Sequence, residues 1–523
     1  MAILQPLVLR HGLALALAGA VTAQQIDQPL TGPELSAHAR MSNPSDVAAF
    51  LDACSRLPAG DRLHPEEIGR TSQGRTLQVV RIAATAREQV PPPSLRVLVI
   101  GDIHAGEVEG KEALLMLLRE FARGEHGDLL QHAELWFLPV YNADGDAAVG
   151  PHREGQNGPD LVGTRENGQG LDLNRDFVKA EAPETQALLR LIARVDPHLF
   201  VDLHTTNGSY HGYHLTFAPS LALDVDPELA ALHRTLLDDA QRTMQQEHGF
   251  ATFDYGNFET RERGGERGWY SYDHRPRYLV NGFGLRNRLA VLSEAYSYCD
   301  FATRIAATRA FVLALLRHLV ARRDQVLATT AVADARLLDG TTTTFGFAGT
   351  FAPPETTTVL VSSVDEVPGG AGRPLRRVRK DESVPTPMPV CRSFVAQQRR
   401  VLPGAWAIAA PTAEVLERLR LHGVQFETLT TARSVRVQRF AVRGKRKPKR
   451  PYQGHQELQL VGHWQVPETV ELPSGAVVVP QRQRLLRLAA QLLEPESDDS
   501  LSTWNFFEAA TDSHYPVLRV LAP

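Results

Sequence analysis

The chain is read as an α/β protein with a mixed, mainly parallel sheet and helices on both faces, followed by a β-rich α+β module. Three observations lead to this reading. Over residues 40–330, short apolar runs alternate with segments of helical spacing, the pattern of strand and helix in succession. Runs such as Leu95–Ile100 and Leu135–Val140 are apolar at successive positions, as strands buried on both faces are. Beyond about residue 330 the texture turns to β-branched stretches separated by Pro and Gly, which favours a separate β-rich unit.

Taken in order, Leu77–Ala83 alternates as a strand, and Pro91-Pro92-Pro93 interrupts the chain before Leu95–Ile100. Gly110–Phe121 carries Leu114, Leu117, Leu118 and Phe121 on one side and reads as a helix stopped at Gly124. Pro183 suits the first turn of a helix whose inner face is Leu188, Leu191 and Ile192. Leu199–Leu203 and Leu289–Leu292 are strands, and Phe301–Arg322 is a long helix. In the C-terminal part, Thr341–Thr344, Thr356–Val361 and Val435–Val442 read as strands. Thr412 caps a helix through Leu421 closed by Gly423, and Leu485–Leu493 forms a second. The expected division is a leader at 1–23, an α/β domain at 24–327 and a β-rich accessory domain at 328–523 that packs on it.

Composition excludes several classes. With 43% hydrophobic and 22% charged residues over 523 positions, the chain is neither fibrous nor wholly disordered. A net charge of −4 offers no global field for nucleic acid or an anionic membrane, so neither is expected as a partner. Arg10 and His11 precede the apolar stretch Leu13–Val21, and Val21-Thr22-Ala23 supplies small residues for cleavage. This reads as a secretory signal, with export to the periplasm or the medium, because the stretch is half of the ~20 residues a bilayer span needs. Cys54, Cys299 and Cys391 allow one disulfide at most, and Cys299 reads as a small buried residue. The basic runs Arg443–Arg450 and Arg376–Lys380 are read as solvated loops. Trp504-Asn505-Phe506-Phe507 is read as an aromatic core cluster beside the acidic turn Glu494–Asp499.

In open α/β sheets ligands sit outside the carboxyl ends of the strands. Four such ends carry polar residues: Gly101-Asp102-Ile103-His104-Ala105-Gly106-Glu107, Asn142-Ala143-Asp144-Gly145, His204 and Glu294. Two histidines and a carboxylate form a common ligand set for catalytic zinc, and the spacing of His104 and Glu107 lets both reach one ion, with His204 closing the set. Such an ion lowers the pKa of its water toward ~7, and Glu294, outside the ligand set, is the candidate proton acceptor. The stretch Arg165–Asp176 holds two arginines and three amides in a Gly-rich loop. Arginine binds carboxylates bidentately, Asn174 can complete a clamp with Arg175, and Asp172 can fix the tautomer of a metal-bound histidine.

These residues resemble the zinc carboxypeptidases of the carboxypeptidase A/B type. The matching stretches are G-D-I-H-A-G-E-V-E-G-K-E-A-L-L, N-A-D-G, R-E-N-G-Q-G-L-D-L-N-R-D-F, P-E-T-Q-A, D-L-H-T and L-S-E, in family order over roughly residues 60–325. The resemblance implies one zinc held by His104, Glu107 and His204, and Glu294 as general base and then acid. It further implies Arg165 as carbonyl polariser, Asn174 and Arg175 as the grip on a peptide's terminal carboxylate, and Asp172 behind His104. A mobile tyrosine some twenty residues before the glutamate falls on Tyr270 or Tyr272, with spacing favouring Tyr272. The family often has arginine just before its zinc glutamate, where this chain has Gly106. A strand around Leu279–Leu285 is expected to line the specificity pocket, with Arg286 and Arg288 in ordinary surface or loop pairing and His211 and His214 as structural or rim residues. The implied activity is removal of C-terminal residues from peptides. The alternative is a zinc amide hydrolase of the same fold acting on cell-wall peptides or N-acyl amino acids. A binding protein on an inactive peptidase scaffold is disfavoured by the complete residue set.

Overall fold

A computed structural model describes residues 28–84, 94–258, 268–369, 372–507 and 513–521. The segment read as a signal and the Pro91-Pro92-Pro93 interruption lie outside these residues. Eight strands form the main sheet: β1 (Leu63–Arg70), β2 (Thr76–Ile82), β3 (Leu95–Gly101), β4 (Ala133–Leu138), β5 (Leu199–Thr206), β6 (Leu215–Pro219), β7 (Thr252–Asp254) and β8 (Leu289–Tyr296). Their order is β1-β2-β4-β3-β5-β8-β6-β7. The central run β4-β3-β5-β8 is parallel, as is β6-β7, and the remaining neighbours are antiparallel.

The strands are apolar at successive residues because the sheet is covered on both sides. On β3, Val97 and Val99 enter one core and Leu98 and Ile100 the other, the two-residue alternation of a pleated strand. The first face is covered by α1 (Pro44–Ser55), α2 (Glu109–Ala122), α4 (Pro227–His248) and α5 (Phe301–Ala321), with α3 (Pro183–Val195) on the opposite face. That opposite face also receives the C-terminal part, whose α7 (Ala413–Leu421) and α8 (Leu486–Leu493) share its core with Trp406 and Trp504. The expected division at 327/328 falls within α6 (Arg323–Leu338).

Local chemistry sets the ends of these elements. Pro183 opens α3, and Thr412 caps α7 by accepting from the Val415 amide, with Gly423 following at φ +74°. Around Leu279–Leu285 the structure departs from the expected strand: Leu279–Gly284 is a short helix. Leu279, Val280 and Phe283 lie at helical spacing, and Gly282 sits where a Cβ would meet Phe177 at 2.1 Å.

The C-terminal part is built on the hairpin β9 (Glu355–Val367) and β10 (Arg376–Cys391) and a six-stranded sheet around Ala405–Ile408. The strand Trp269–Tyr270 pairs in parallel with Val390–Cys391, so one sheet joins both parts of the chain. Arg376–Lys380, expected as a loop, lies in β10, because its cations find Asp160, Glu366 and Asp365 there. Arg443–Arg446 likewise lies in the strand Phe440–Arg446, which pairs with Gln459–Trp464 and leaves the remaining basic residues in the connection. The turn before Trp504 carries Asp499, which receives the buried Arg277 guanidinium (3.0 Å), and that guanidinium lies 4.5 Å from the Trp504 ring centre. All three cysteines are buried, Cys54 and Cys299 as free thiols, and burial pushes the Cys299 thiol up to about 11. Among the described residues, no helix is long and apolar enough to cross a membrane.

Candidate metal centre and active site

The site lies at the carboxyl ends of β3, β5 and β8. Past β3, Asp102 takes a positive φ of 65° and the Glu107 amide bonds back to the His104 carbonyl (2.8 Å), so His104 and Glu107 leave one turn together before α2 begins. On β5, residues of even number face the side covered by the C-terminal part, which sends Asp202 and His204 the same way. The parallel register sets Glu294 of β8 beside His204.

Glu107 lies between the two imidazoles: its Oε1 is 3.2 Å from His104 Nδ1 and its Oε2 is 3.0 Å from His204 Nδ1. One ligand atom from each of the three lies within 4.8 Å of the others, and all three side chains are buried. His104 Nδ1 is buried without a hydrogen bond among the described residues, as a nitrogen reserved for a metal would be. Two imidazole nitrogens and a carboxylate oxygen fit zinc. The far nitrogens are also held: His104 Nε2 bonds Asp172 Oδ1 (3.0 Å) and His204 Nε2 pairs with Asp202 Oδ2 (3.0 Å). Each carboxylate fixes which nitrogen faces Glu107 and makes it a better donor.

Electrostatics follow this arrangement. Burial opposes the charge of Asp172, but the bond from His104 and the cations Arg165 and Arg175 hold its carboxyl well below the usual range. Glu107 is likewise held well below, against burial, by His104 and Arg153. Burial pushes Glu294 up to about 8, with His204 pulling it down and Glu107 pushing it up; positive charge at the ligand set favours its ionised form.

The Gly-rich loop is shaped from within. Asn167 Oδ1 accepts from the Gln169 and Leu171 amides (both 3.0 Å), and Asn142 Nδ2 donates to the Arg165 carbonyl (3.1 Å). Gly168 passes so close to Asp144 that a Cβ would lie 2.3 Å from its carboxylate. The N-A-D-G stretch therefore acts as a frame for this loop. Arg165 donates to Asp172 Oδ2 (2.8 Å) and Glu107 Oε1 (3.4 Å). Asn174 accepts from the Leu279 amide (3.0 Å), and its Nδ2 is 3.5 Å from His204 Nε2.

These side chains surround a cavity of about 350 Å³, which Arg175, Tyr272, Val280 and Leu292 also line. Tyr272 is in the wall, its hydroxyl on Asn281 Oδ1 (3.0 Å), whereas Tyr270 is not among the lining residues and its ring meets Phe351. Arg286 and Arg288 are turned away from the cavity but are buried: Arg286 donates to the His422 carbonyl, and Arg288 pairs with Asp196 and Asp334. His211 lies against Tyr296 with ring centres 3.9 Å apart, and burial lowers it to about 3.

Several site residues were not anticipated. Asp202 had a signal, a carboxylate two residues before a strand-end histidine and therefore on its face. Arg153 had none. It donates to Glu107 Oε1 (3.1 Å) and to the Thr205 carbonyl from a segment between Ala148 and Val162 that has no regular pattern. Tyr255 and Tyr278 join Tyr272 in the wall. Asp202→Asn keeps an acceptor for His204 but removes the charge, and zinc affinity is expected to fall about 10- to 100-fold, read by competition with a chelating dye.

A mixed α/β sheet with two histidines and a carboxylate converging at its carboxyl edge defines a metalloenzyme scaffold. The family model described as "Zinc carboxypeptidase" matches residues 48–281. Human Carboxypeptidase D is 31% identical over 188 residues, which cover 29% of this chain and 14% of that protein's length. Carboxypeptidase 2 of Trichophyton tonsurans is 23% identical over 478 residues, covering 86% of this chain and 81% of the relative. A metallo-carboxypeptidase structure from Burkholderia cenocepacia aligns with TM-score 0.41 and 18% identity, over 53% of this chain and 69% of that one. Residues 48–281 are thus the part of the chain that matches the zinc carboxypeptidase family.

Proposed function

We propose that the protein is a zinc-dependent metallocarboxypeptidase, with one zinc per chain, acting on the C-termini of peptides. The observation that carries this reading is a single cavity lined by His104, Glu107, His204, Glu294, Arg165 and Arg175. A zinc ion bound by His104, Glu107 and His204 would act as a Lewis acid and lower the pKa of its water. The chain's own residues supply the rest. Asn174 and Arg175 hold the terminal carboxylate and so set the last peptide bond against the ligand set. Glu294 takes a proton from the attacking water and returns it to the leaving nitrogen. Arg165 offers N–H donors to the oxygen of the scissile carbonyl as charge gathers there. Tyr272, in the wall, closes over the substrate. Chemistry is assigned to residues 24–327, with 328–523 as a packed module and residues 1–23 as the export signal; N-terminal sequencing of the mature protein for a start at Gln24 tests the last point.

The direct test is incubation with a mixed peptide library, with and without a zinc chelator, read by mass spectrometry. Ladders shortened from the C-terminus, lost on chelation and restored by zinc, are the expected result. Intact peptides alongside tightly bound zinc would overturn it. The clamp recognises a carboxylate whatever the configuration of the carbon that bears it, so cell-wall peptides and N-acyl amino acids are the next substrates in that case.

A further inference from the structure

The hairpin connection that follows the basic run ends at the clamp loop. Tyr452 Oη accepts from Arg175 Nε (2.9 Å), and Gln453 Oε1 accepts from the Asp172 amide (3.0 Å). These two residues of the C-terminal part thus touch two members, three positions apart, of the loop that carries Asp172, Asn174 and Arg175. Arg175 is also held by its Nη1 on the Asn174 carbonyl (2.7 Å), and its guanidinium lies 4.2 Å from the Tyr278 ring centre. None of these three contacts uses Nη2, and Arg175 lines the cavity.

The hairpin tip is itself braced. Tyr452 and His455 exchange backbone bonds (2.7 and 3.0 Å), His455 Nε2 meets Glu181 (3.0 Å), and Gln453 takes a φ of +48°. A non-glycine residue in that region is uncommon and held there by its surroundings. An arginine side chain has many rotamers to lose, and a group ordered before its ligand arrives binds with a smaller loss.

We infer that the C-terminal part completes the carboxylate clamp: Tyr452 is a positioning residue for Arg175, and Gln453 holds the loop backbone at Asp172. The inference rests on the carboxypeptidase reading above and extends it, since the substrate grip is then shared between two parts of the chain 277 residues apart in sequence.

The test uses the full chain with Tyr452→Phe, which keeps the ring and removes the acceptor, and Gln453→Ala as a second variant. Two small inhibitors separate the roles: 3-phenylpropionate needs a carboxylate grip, whereas acetohydroxamate addresses the metal. For Tyr452→Phe, KM and the 3-phenylpropionate inhibition constant are expected to rise about five- to tenfold, the loss of one hydrogen bond. Its kcat, acetohydroxamate inhibition and melting temperature are expected to be unchanged, and Gln453→Ala should move the same constants in the same direction. Unchanged KM and carboxylate inhibition in both variants would overturn the inference. So would a parallel loss of both inhibitors with a lower melting temperature, which marks a purely structural contact. A wild-type chain that shortens no peptide defeats the carboxypeptidase reading instead, and calorimetric binding of 3-phenylpropionate to wild type and Tyr452→Phe then still decides the role of Tyr452.

Discussion

Glu294→Gln is expected to lower kcat by about 10²- to 10⁴-fold, the span of a lost general base, while the protein still binds zinc. The substitution keeps the side chain's shape, and His104, Glu107 and His204 are untouched. Glu294 is 9% exposed and directly beside His204 in the β5–β8 register, so an amide of the same size fits without rebuilding the cavity wall. What is lost is the ability to accept a proton. Steady-state turnover together with metal analysis reads both halves of the prediction. Full turnover in a zinc-loaded variant would remove Glu294 from the chemistry.

The two arginines of the Gly-rich loop should separate by kinetic parameter. Arg165 sits against Asp172 and Glu107, close to the ligand set, and its removal in Arg165→Ala is expected to lower kcat by about 10²- to 10³-fold, the effect of losing a transition-state donor. Arg175 is held beside the cavity by Tyr452, Tyr278 and the Asn174 carbonyl. Arg175→Ala should raise KM more than it lowers kcat, because it removes a contact made equally before and during the reaction. Zinc content must be measured for Arg165→Ala, since Asp172 loses a partner and supports His104. Identical effects of the two variants on kcat and KM would contradict this division.

Much of this was legible from the chain alone. Apolar runs at β3, β4, β5 and β8 announced a sheet covered on both sides, and Pro183, Thr412 and Gly423 marked helix ends by local backbone chemistry. His104 and Glu107 were readable together because one turn holds both. Other features lacked a local cause. Leu279–Gly284 has apolar residues that suit either strand or helix over so short a span, and its packing against Phe177 settles the matter. The basic segment Arg376–Lys380 looks like a solvated loop until Asp160, Glu366 and Asp365 are brought beside it.

The site divides in the same way. Sequence determined the residue types available for metal, base and anion recognition, since their chemistry belongs to the side chains themselves. It also determined that Asp202 and His204 share a face, because a strand alternates with a period of two. Tertiary structure alone decided that Glu294 stands beside His204, that Arg153 reaches Glu107, and that Tyr452 and Gln453 bear on the clamp loop. Each of these contacts joins segments far apart in the chain. The contacts of Tyr452 and Gln453 arise because the face of the sheet that carries the site is apolar below it and must be buried. The C-terminal part covers that face and so comes to lie against the loop above it.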